Sequence, residues 1–437
     1  MVKIRPFKAI RPDSYDVDQV ASLPYDVIND KEARLLSEKN KKSFLYIDRA
    51  EIDLPRGIDP HDEQVYKKAQ SNLEKFLSEG WLIKEEKPAY YLYRLKRNGH
   101  SQYGIVMTID IEEYFSNQVK RHEFTRPDKE LDRIRHIDAC DANMSPIFLT
   151  YSDSEELNRL IIDFKNKTLP MYAFDSYYEV EHYIWKITED ELLIQITELF
   201  ANEVVSLYIA DGHHRMEAAA KVSKKRKETY PNADADANFN YFLGVAFPES
   251  QLEILPYNRL VKGKMTNEKW RKLREAFEVE EVSEETFEPT EARTIGVYAD
   301  KKWFKLTIKE TMIPDDIVGS LDVSFVQDHL LQPLFGIEDP RTDLRIEFVG
   351  GIHDTEELMA RANEEENTVA ISFYPTSIKD LKEVADKGET MPPKSTWFEP
   401  KLLSGLFLYP FESAQYQIDS LKKQQTVAVD KSKEDML

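Results

Sequence analysis

Short apolar runs alternate with helix-periodic segments along almost the whole chain, and this alternation restricts the fold more than any other feature. Residues 89–95 and 103–109 are strand-like and flank Asn98-Gly99, a dipeptide that accepts positive φ at both turn positions, so they predict a hairpin. Residues 294–297 and 303–308 predict a second hairpin, and 145–149, 179–187, 204–209, 241–247, 344–349 and 369–373 predict further strands. The short run 43–47 reads as a buried strand as well. Between these lie helical patterns. In 62–80, Val65, Tyr66, Ala69, Leu73, Phe76 and Leu77 recur at three- and four-residue steps, with Gly80 as the stop. Residues 128–139, 155–164, 190–202, 216–226, 268–277, 323–334, 355–363 and 378–387 are also helical in pattern. No internal repeat or long linker interrupts the series. The expected class is α/β or α+β, with at least one mixed sheet carrying helices.

Composition removes several functions. Only 14 of 437 residues are glycine, and neither GxxxxGK[ST] nor GxGxxG occurs, so P-loop and standard Rossmann readings lose their main support. The single cysteine, Cys140, supports no internal disulfide framework or cysteine-based zinc site. Lys and Arg total 59 against 80 Asp and Glu, a net charge of −21, which repels nucleic-acid backbones and anionic membrane surfaces. A local basic pocket for a small anion remains compatible with that charge. No run of 18 apolar residues occurs and the N-terminal residues lack a signal-peptide core, so neither a membrane span nor secretion is expected, and the expected location is the cytoplasm.

The sharpest local signal is Asp211-Gly212-His213-His214-Arg215, where an apolar strand turns at glycine into a helix. A helix N-terminus offers backbone N–H groups and the positive end of its dipole, which suits phosphate. His213, His214 and Arg215 add donors there; Asp211 serves either as a cap or as a partner for a cation. Adjacent histidines point about 100° apart on a helix, so this pair is a poor zinc site. A second cluster is Arg121-His122-Glu123-Phe124-Thr125 with Asp128, Lys129, Asp132 and Arg133, which suits Mg²⁺ or phosphate, or else a solvated, salt-bridged helix face. A third, Met391-Pro392-Pro393-Lys394-Ser395-Thr396-Trp397 with Lys401, is a proline-stiffened loop of phosphate-binding residue types, or a loop packing its aromatics into a core. In Pro24-Tyr25-Asp26-Val27, Asp26 sits in an apolar segment, where a carboxylate needs a partner or a task; it is a candidate general base or a helix cap, although Asn29 or Asp30 serves equally well for capping. Asn143-Met144-Ser145-Pro146 is a polar loop of the same kind.

Together these motifs resemble the bacterial and archaeal family catalogued as domain of unknown function 1015, from Arg5-Pro6-Phe7 to about Phe411. The Asp-Gly-His-His-Arg turn is also similar to the phosphate-binding turn of the ParB/sulfiredoxin superfamily, including its free L-serine kinases, which share this pentapeptide. The resemblance implies a ParB/sulfiredoxin-like nucleotide-binding core over 1–260 with an N-terminal elaboration. An additional α/β region over 261–412 would contribute a loop to the site, and 413–437 would form a polar tail. It implies a kinase that transfers phosphate from ATP or ADP, with Mg²⁺, to free L-serine or a similar small hydroxyl metabolite. Those kinases use a Glu on an early segment as base; no matching Glu is evident near the first strand here, and Asp26 is the substitute. Asp211, Gly212, His213, His214, Arg215, Arg121, His122, Lys394, Ser395, Thr396 and Lys401 would hold the nucleotide phosphates. His213, His214 and Lys394 would assist catalysis, Tyr25, Asn143, Ser145 and Trp397 would contact substrate, and Glu123 and Asp132 would lie near the metal. The alternative is a ParB-like nucleotide-binding switch or regulatory protein without metabolic turnover.

Overall fold

The computed structural model describes residues 2–413. Apart from Ser413, the expected polar tail lies outside the described residues. The chain forms two compact units: Met1–Lys120, Thr125–Gln251 and the chain from Pro400 onward make the first, and Arg121–Phe124 with Leu252–Glu399 the second. Each combines helices with sheet, so the class is α+β. Among the described residues no helix is long and apolar enough to cross a membrane.

The first unit is built on a nine-stranded sheet. Its strands are β1 (Ile4–Arg5), β2 (Tyr90–Arg97), β3 (His100–Asp110), β4 (Val119–Lys120), β5 (Ile147–Tyr151), β6 (Tyr172–Asp175), β7 (Glu181–Ile187), β8 (Leu207–Asp211) and β9 (Tyr241–Pro248). The order is β4-β8-β5-β9-β3-β2-β7-β6, with β1 on β3. β4 runs parallel to β8 and β5 to β9, while the other neighbours are antiparallel, so the sheet is mixed. Arg97 lies opposite His100, leaving Asn98 and Gly99 as a two-residue turn with φ of 49° and 80°. This is the hairpin that the Asn-Gly pair predicts.

The site-bearing helices of this unit, with their neighbours, are α1 (Asp30–Ser37), α2 (Leu45–Asp48), α3 (Glu63–Ser78), α4 (Pro127–Cys140), α5 (Glu155–Lys167), α6 (Asp190–Glu203) and α7 (His213–Thr229). One sheet face receives the apolar stripes of α5, α6 and α7, through Leu157, Ile161, Phe164, Ile196, Phe200, Met216 and Ala219. On β2, Tyr90 and Leu92 join that core. Tyr91 and Tyr93 point the other way and meet Phe407 from the returning C-terminal segment. The apolar run Leu402, Leu403, Leu406, Phe407 and Leu408 is buried there, which brings the chain beyond Pro400 back to the first unit. α7 is joined to α4 by Lys221–Glu130 and Arg226–Asp138 ion pairs.

One short element departs from expectation. Residues 43–47 read as a strand, but Leu45–Asp48 form a helix. Phe44, Leu45 and Ile47 are buried on all sides. An apolar run buried all round carries no periodicity, so pattern alone does not separate strand from helix. A second difference is smaller. The strand expected from residue 344 begins at Ile346, because Leu344 is 94% exposed on a turn where Arg345 pairs with Asp343.

The second unit has a six-stranded sheet of β10 (Tyr257–Lys262), β11 (Phe277–Glu281), β12 (Thr294–Ala299), β13 (Lys302–Ile308), β14 (Ile346–Gly350) and β15 (Thr368–Phe373). The order is β11-β13-β12-β15-β10-β14, antiparallel throughout. Leu260, Tyr298, Trp303, Val349 and Leu358 form a core on one face.

Asn29 caps α1: its side chain accepts from the Glu32 N–H, and the Glu32 carboxylate accepts from the Asn29 N–H. Of the candidates Asp26, Asn29 and Asp30, the cap is therefore Asn29. Asn29→Ala is expected to lower stability by about 1 kcal/mol, while Asp26→Ala changes it by less than about 0.5 kcal/mol. Urea denaturation followed by far-UV circular dichroism measures both.

Candidate active site

β8 is a buried apolar run that ends irregularly. Ile209 pairs with Leu149 but Asp211 with Phe148, so a bulge falls at Ala210. Such an extra residue bends a strand and redirects the chain beyond it. Gly212 then takes φ 96°, and α7 begins at His213. Its positive φ favours glycine, and a Cβ there would crowd the Arg215 guanidinium at 3.0–3.2 Å. α7 runs for 17 residues and directs its positive end at this turn. Gly212 has no side chain to accept from the first-turn amides.

A second helix starts beside it. Arg126 is the N-cap of α4, and its backbone N–H donates to His214 Nε2 at 3.1 Å. Nε2 is thus an acceptor, and the neutral ring carries its proton on Nδ1. Two helix N-termini meet around one imidazole. His213 is buried beneath the turn.

Arg215 turns inward. Its Nη1 donates to the Pro146 carbonyl at 2.7 Å and faces Ser145 Oγ at 3.4 Å, while Nη2 donates to the Asp211 carboxylate at 2.9 Å. Burial opposes its charge, but Asp211, Asp26 and Tyr25 outweigh burial and raise its pKa above the ordinary value. Asp211 is thus a partner of Arg215, with Lys401 Nζ at 3.6 Å. Asn143 Oδ1 accepts from the Leu243 N–H at 3.1 Å, which ties this loop to β9.

Arg49 holds the loop carrying Tyr25 and Asp26 by donating to the carbonyls of Tyr25 at 3.2 Å and Ile28 at 2.6 Å. The Tyr25 ring lies 3.9 Å from the Arg133 guanidinium carbon. Burial, and then Asp26, raise the Tyr25 pKa. Asp26 itself is exposed, not desolvated as its apolar neighbours suggest, because Leu23 and Ile28 turn inward and leave it on the outer side. Its carboxylate makes no hydrogen bond or ion pair among the described residues, yet its charge reaches Arg215.

Asp132, expected near a metal, is committed elsewhere. Oδ2 takes Arg133 Nη2 at 2.6 Å and Nε at 2.9 Å, while Oδ1 accepts from Tyr66 at 2.8 Å and faces His61 at 3.2 Å. Burial pushes its carboxyl upward, but Arg133 and Tyr66 outweigh it and hold the pKa at about 2. Among the described residues no group of three or more His, Cys, Asp or Glu has a metal-binding arrangement. Asp48, which sequence reading missed, is buried, with Arg133 at 3.2 Å and Ser404 at 3.0 Å. A lone Asp ending the apolar run 44–47 was the available signal. A cavity of about 20 Å³, room for one water, lies between Asp48, Arg133, His136, Asn143, Ser145 and Arg215. A larger groove of about 780 Å³ between α5 and α6 contains none of the candidate residues. Cys140 is buried, and burial pushes its thiol up to about 12, which removes it as a nucleophile.

The remaining candidates belong to the second unit. Arg121 is exposed and Glu123 half-buried. His122 Nε2 lies 3.3 Å from Thr396 Oγ1, and the Met391 N–H donates to the His122 carbonyl at 2.8 Å. Ser395 Oγ donates to the Pro392 carbonyl at 2.6 Å, and Trp397 Nε1 to Glu399 at 2.8 Å.

An α+β protein with a strand–glycine–helix turn is thus defined. The chain belongs to the family described as protein of unknown function (DUF1015), which it matches over residues 4–324. The match stops short of residue 411, so the 391–397 loop lies outside it. Among curated proteins none matches. Among solved structures, C-terminally truncated SbnI from Staphylococcus aureus is similar at 14% identity and TM-score 0.38, covering 75% of this chain and 96% of that one. A free serine kinase variant in complex with ADP is similar at 16% identity and TM-score 0.34, covering 67% and 87%. A conserved hypothetical protein from Pyrococcus furiosus is similar at 14% identity and TM-score 0.36, covering 70% and 96%.

Because Asp132 titrates at about 2 in the folded chain against 3.8 ordinarily, its contribution is complete above about pH 4 and fades as pH falls toward 2. Asp132→Asn is expected to cost about 2 kcal/mol at pH 7 and to flatten the loss of stability between pH 4 and 2. Urea titrations at several pH values check this.

Proposed function

We propose that this protein is a nucleotide-dependent kinase that phosphorylates free L-serine, or a similar small hydroxyl metabolite, to O-phospho-L-serine. The observation that carries this reading is the Gly212 turn. It sets the N-terminus of α7 beside that of α4, with His214 and Lys401 next to it and the uncommitted carboxylate of Asp26 within electrostatic reach. The pentapeptide Asp211–Arg215, shared with the free L-serine kinases, supports the same assignment.

Phosphoryl transfer requires positioning and charge stabilisation more than covalent chemistry. First-turn amides of α7, His214 and Lys401 would hold the donor's terminal phosphates. Arg215 acts from behind, clamping Asp211 to the Ser145-Pro146 loop, and is a positioning residue. Asp26 would accept the proton of the serine hydroxyl as its oxygen bonds to phosphorus and the bond to the leaving phosphate breaks. Tyr25, stacked on Arg133, would set the position of that carboxylate. Magnesium would be carried mainly by the nucleotide's phosphates and water, where it would neutralise phosphate charge.

The test incubates full-length protein with serine, Mg²⁺ and either ATP or ADP and looks for phosphoserine by ³¹P NMR. Product is expected with one donor. Asp26→Asn should reduce kcat by about 100-fold with nucleotide affinity retained, and Gly212→Ala should weaken nucleotide binding by about tenfold. Tight nucleotide binding without product from either donor would favour a nucleotide-dependent switch. Absence of nucleotide binding would sink both readings.

A further inference from the structure

The helices α5 and α6 share one face of the nine-stranded sheet without closing on each other. Leu157, Ile161 and Phe164 of α5 and Ile196 and Phe200 of α6 enter the core beneath them. The hydroxyl of Ser154, the N-cap of α5, donates to the Glu203 carboxylate at the end of α6, so the two helices run antiparallel and are joined there. Between them runs the groove of about 780 Å³. Its α5 wall is a single stripe, Glu156 to Lys167 at three- and four-residue steps, which spans three turns or roughly 17 Å.

The floor of the groove is apolar. Leu160, Leu192 and Leu199 pack against the core of the sheet yet are only half-buried, and their outer sides line the groove. Leu169, just beyond the end of α5, is 89% exposed. The walls are charged and unequal, with five carboxylates against two cations. Both cations, Arg159 and Lys167, lie on α5, whereas the α6 side carries Glu189, Glu198 and Glu203 and no cation. Glu156, Asp163 and Glu198 are exposed and make no hydrogen bond or ion pair among the described residues.

These features select one kind of occupant. The charged walls are exposed along the whole length, so the groove does not enclose a ligand as a small-molecule pocket does. An apolar floor three turns long between two helices suits an amphipathic helix, whose anchors at i, i+3, i+4 and i+7 would fill it. The uncommitted carboxylates set the flanks of that helix, which must be basic. A second copy of this chain is a poor occupant, because copies that each carry a net charge of −21 repel. We infer that the α5–α6 groove is a docking site for a basic amphipathic helix of another protein. Its apolar anchors would lie on Leu160, Leu192 and Leu199, and its cations would face Glu156, Asp163 and Glu198. The site lies within the first unit, shares no residue with the phosphoryl-transfer assignment and does not rest on it.

The experiment follows, by fluorescence anisotropy, the binding of a dye-labelled synthetic peptide to full-length protein without nucleotide. The peptide has about 18 residues, long enough to form a helix, with leucines at i, i+3, i+4 and i+7 and lysines elsewhere. A second peptide has the same composition in scrambled order. Both are measured at an ionic strength of about 0.15 M, where long-range attraction is screened. Saturable binding of the amphipathic peptide is expected, about tenfold weaker for the scrambled one. Glu156→Lys with Glu198→Lys should weaken it by about tenfold. Glu280→Lys with Glu285→Lys, the same charge change in the second unit, should leave it unchanged. All four glutamates are exposed, so these variants keep the fold, which circular dichroism checks. Absence of saturable binding, equal binding of the scrambled peptide, or equal affinity in the Glu156→Lys, Glu198→Lys protein would overturn the proposal. So would a dimer in sedimentation velocity that this same pair of substitutions dissociates, since a second copy would then occupy the groove.

Discussion

The ion pair between Arg215 and Asp211 spans a glycine whose positive φ other residues adopt only under strain, and the candidate active site is arranged around it. Arg215 lies one helical turn beyond the end of β8 and reaches back to the residue before the bend. The same guanidinium takes the Pro146 carbonyl just ahead of β5. One side chain therefore fixes two strand ends and the start of α7. A side chain that reaches back in this way cannot also reach forward to a ligand.

Buried cations are handled in three ways in this chain. Arg133 has two carboxylates, Asp132 and Asp48, and stacks on Tyr25. Arg215 has one, Asp211, together with a carbonyl and a hydroxyl. Among the described residues, Arg259 has carbonyls and aromatic rings alone. Desolvation penalises all three, and removal of a buried partner is strongly destabilising. The first arrangement is closed and structural. The second leaves the positive helix end open.

Much of the fold was legible from local pattern. Asn98-Gly99 encoded its hairpin because the turn chemistry is local. The helix at Glu63–Ser78 was legible because its apolar residues repeat on one face, and the turn at Gly212 because a strand ran directly into a helix. Residues 43–47 were misread because burial on all sides erases periodicity. Asp26 and Asp132 were read from neighbours in sequence, but exposure and pairing depend on neighbours in space. Asp132 meets Tyr66 and Arg133 through the packing of α3 on α4, and Asp26 is exposed because flanking apolar residues turn inward.

By itself, the sequence determined the α+β class, the strand–glycine–helix turn and the basic residues gathered there, since each depends on backbone preferences over a few residues. Only the tertiary structure decided that Arg215 faces inward, that Asp48 and Asp132 are taken by Arg133, and that residues beyond Pro400 return to the first unit. It also decided that Arg259 lies buried with no acid paired to it among the described residues. The physical reason is common to all of these. A charge's partner, and the water it loses, are set by segments tens to hundreds of residues away, and no local pattern carries that information.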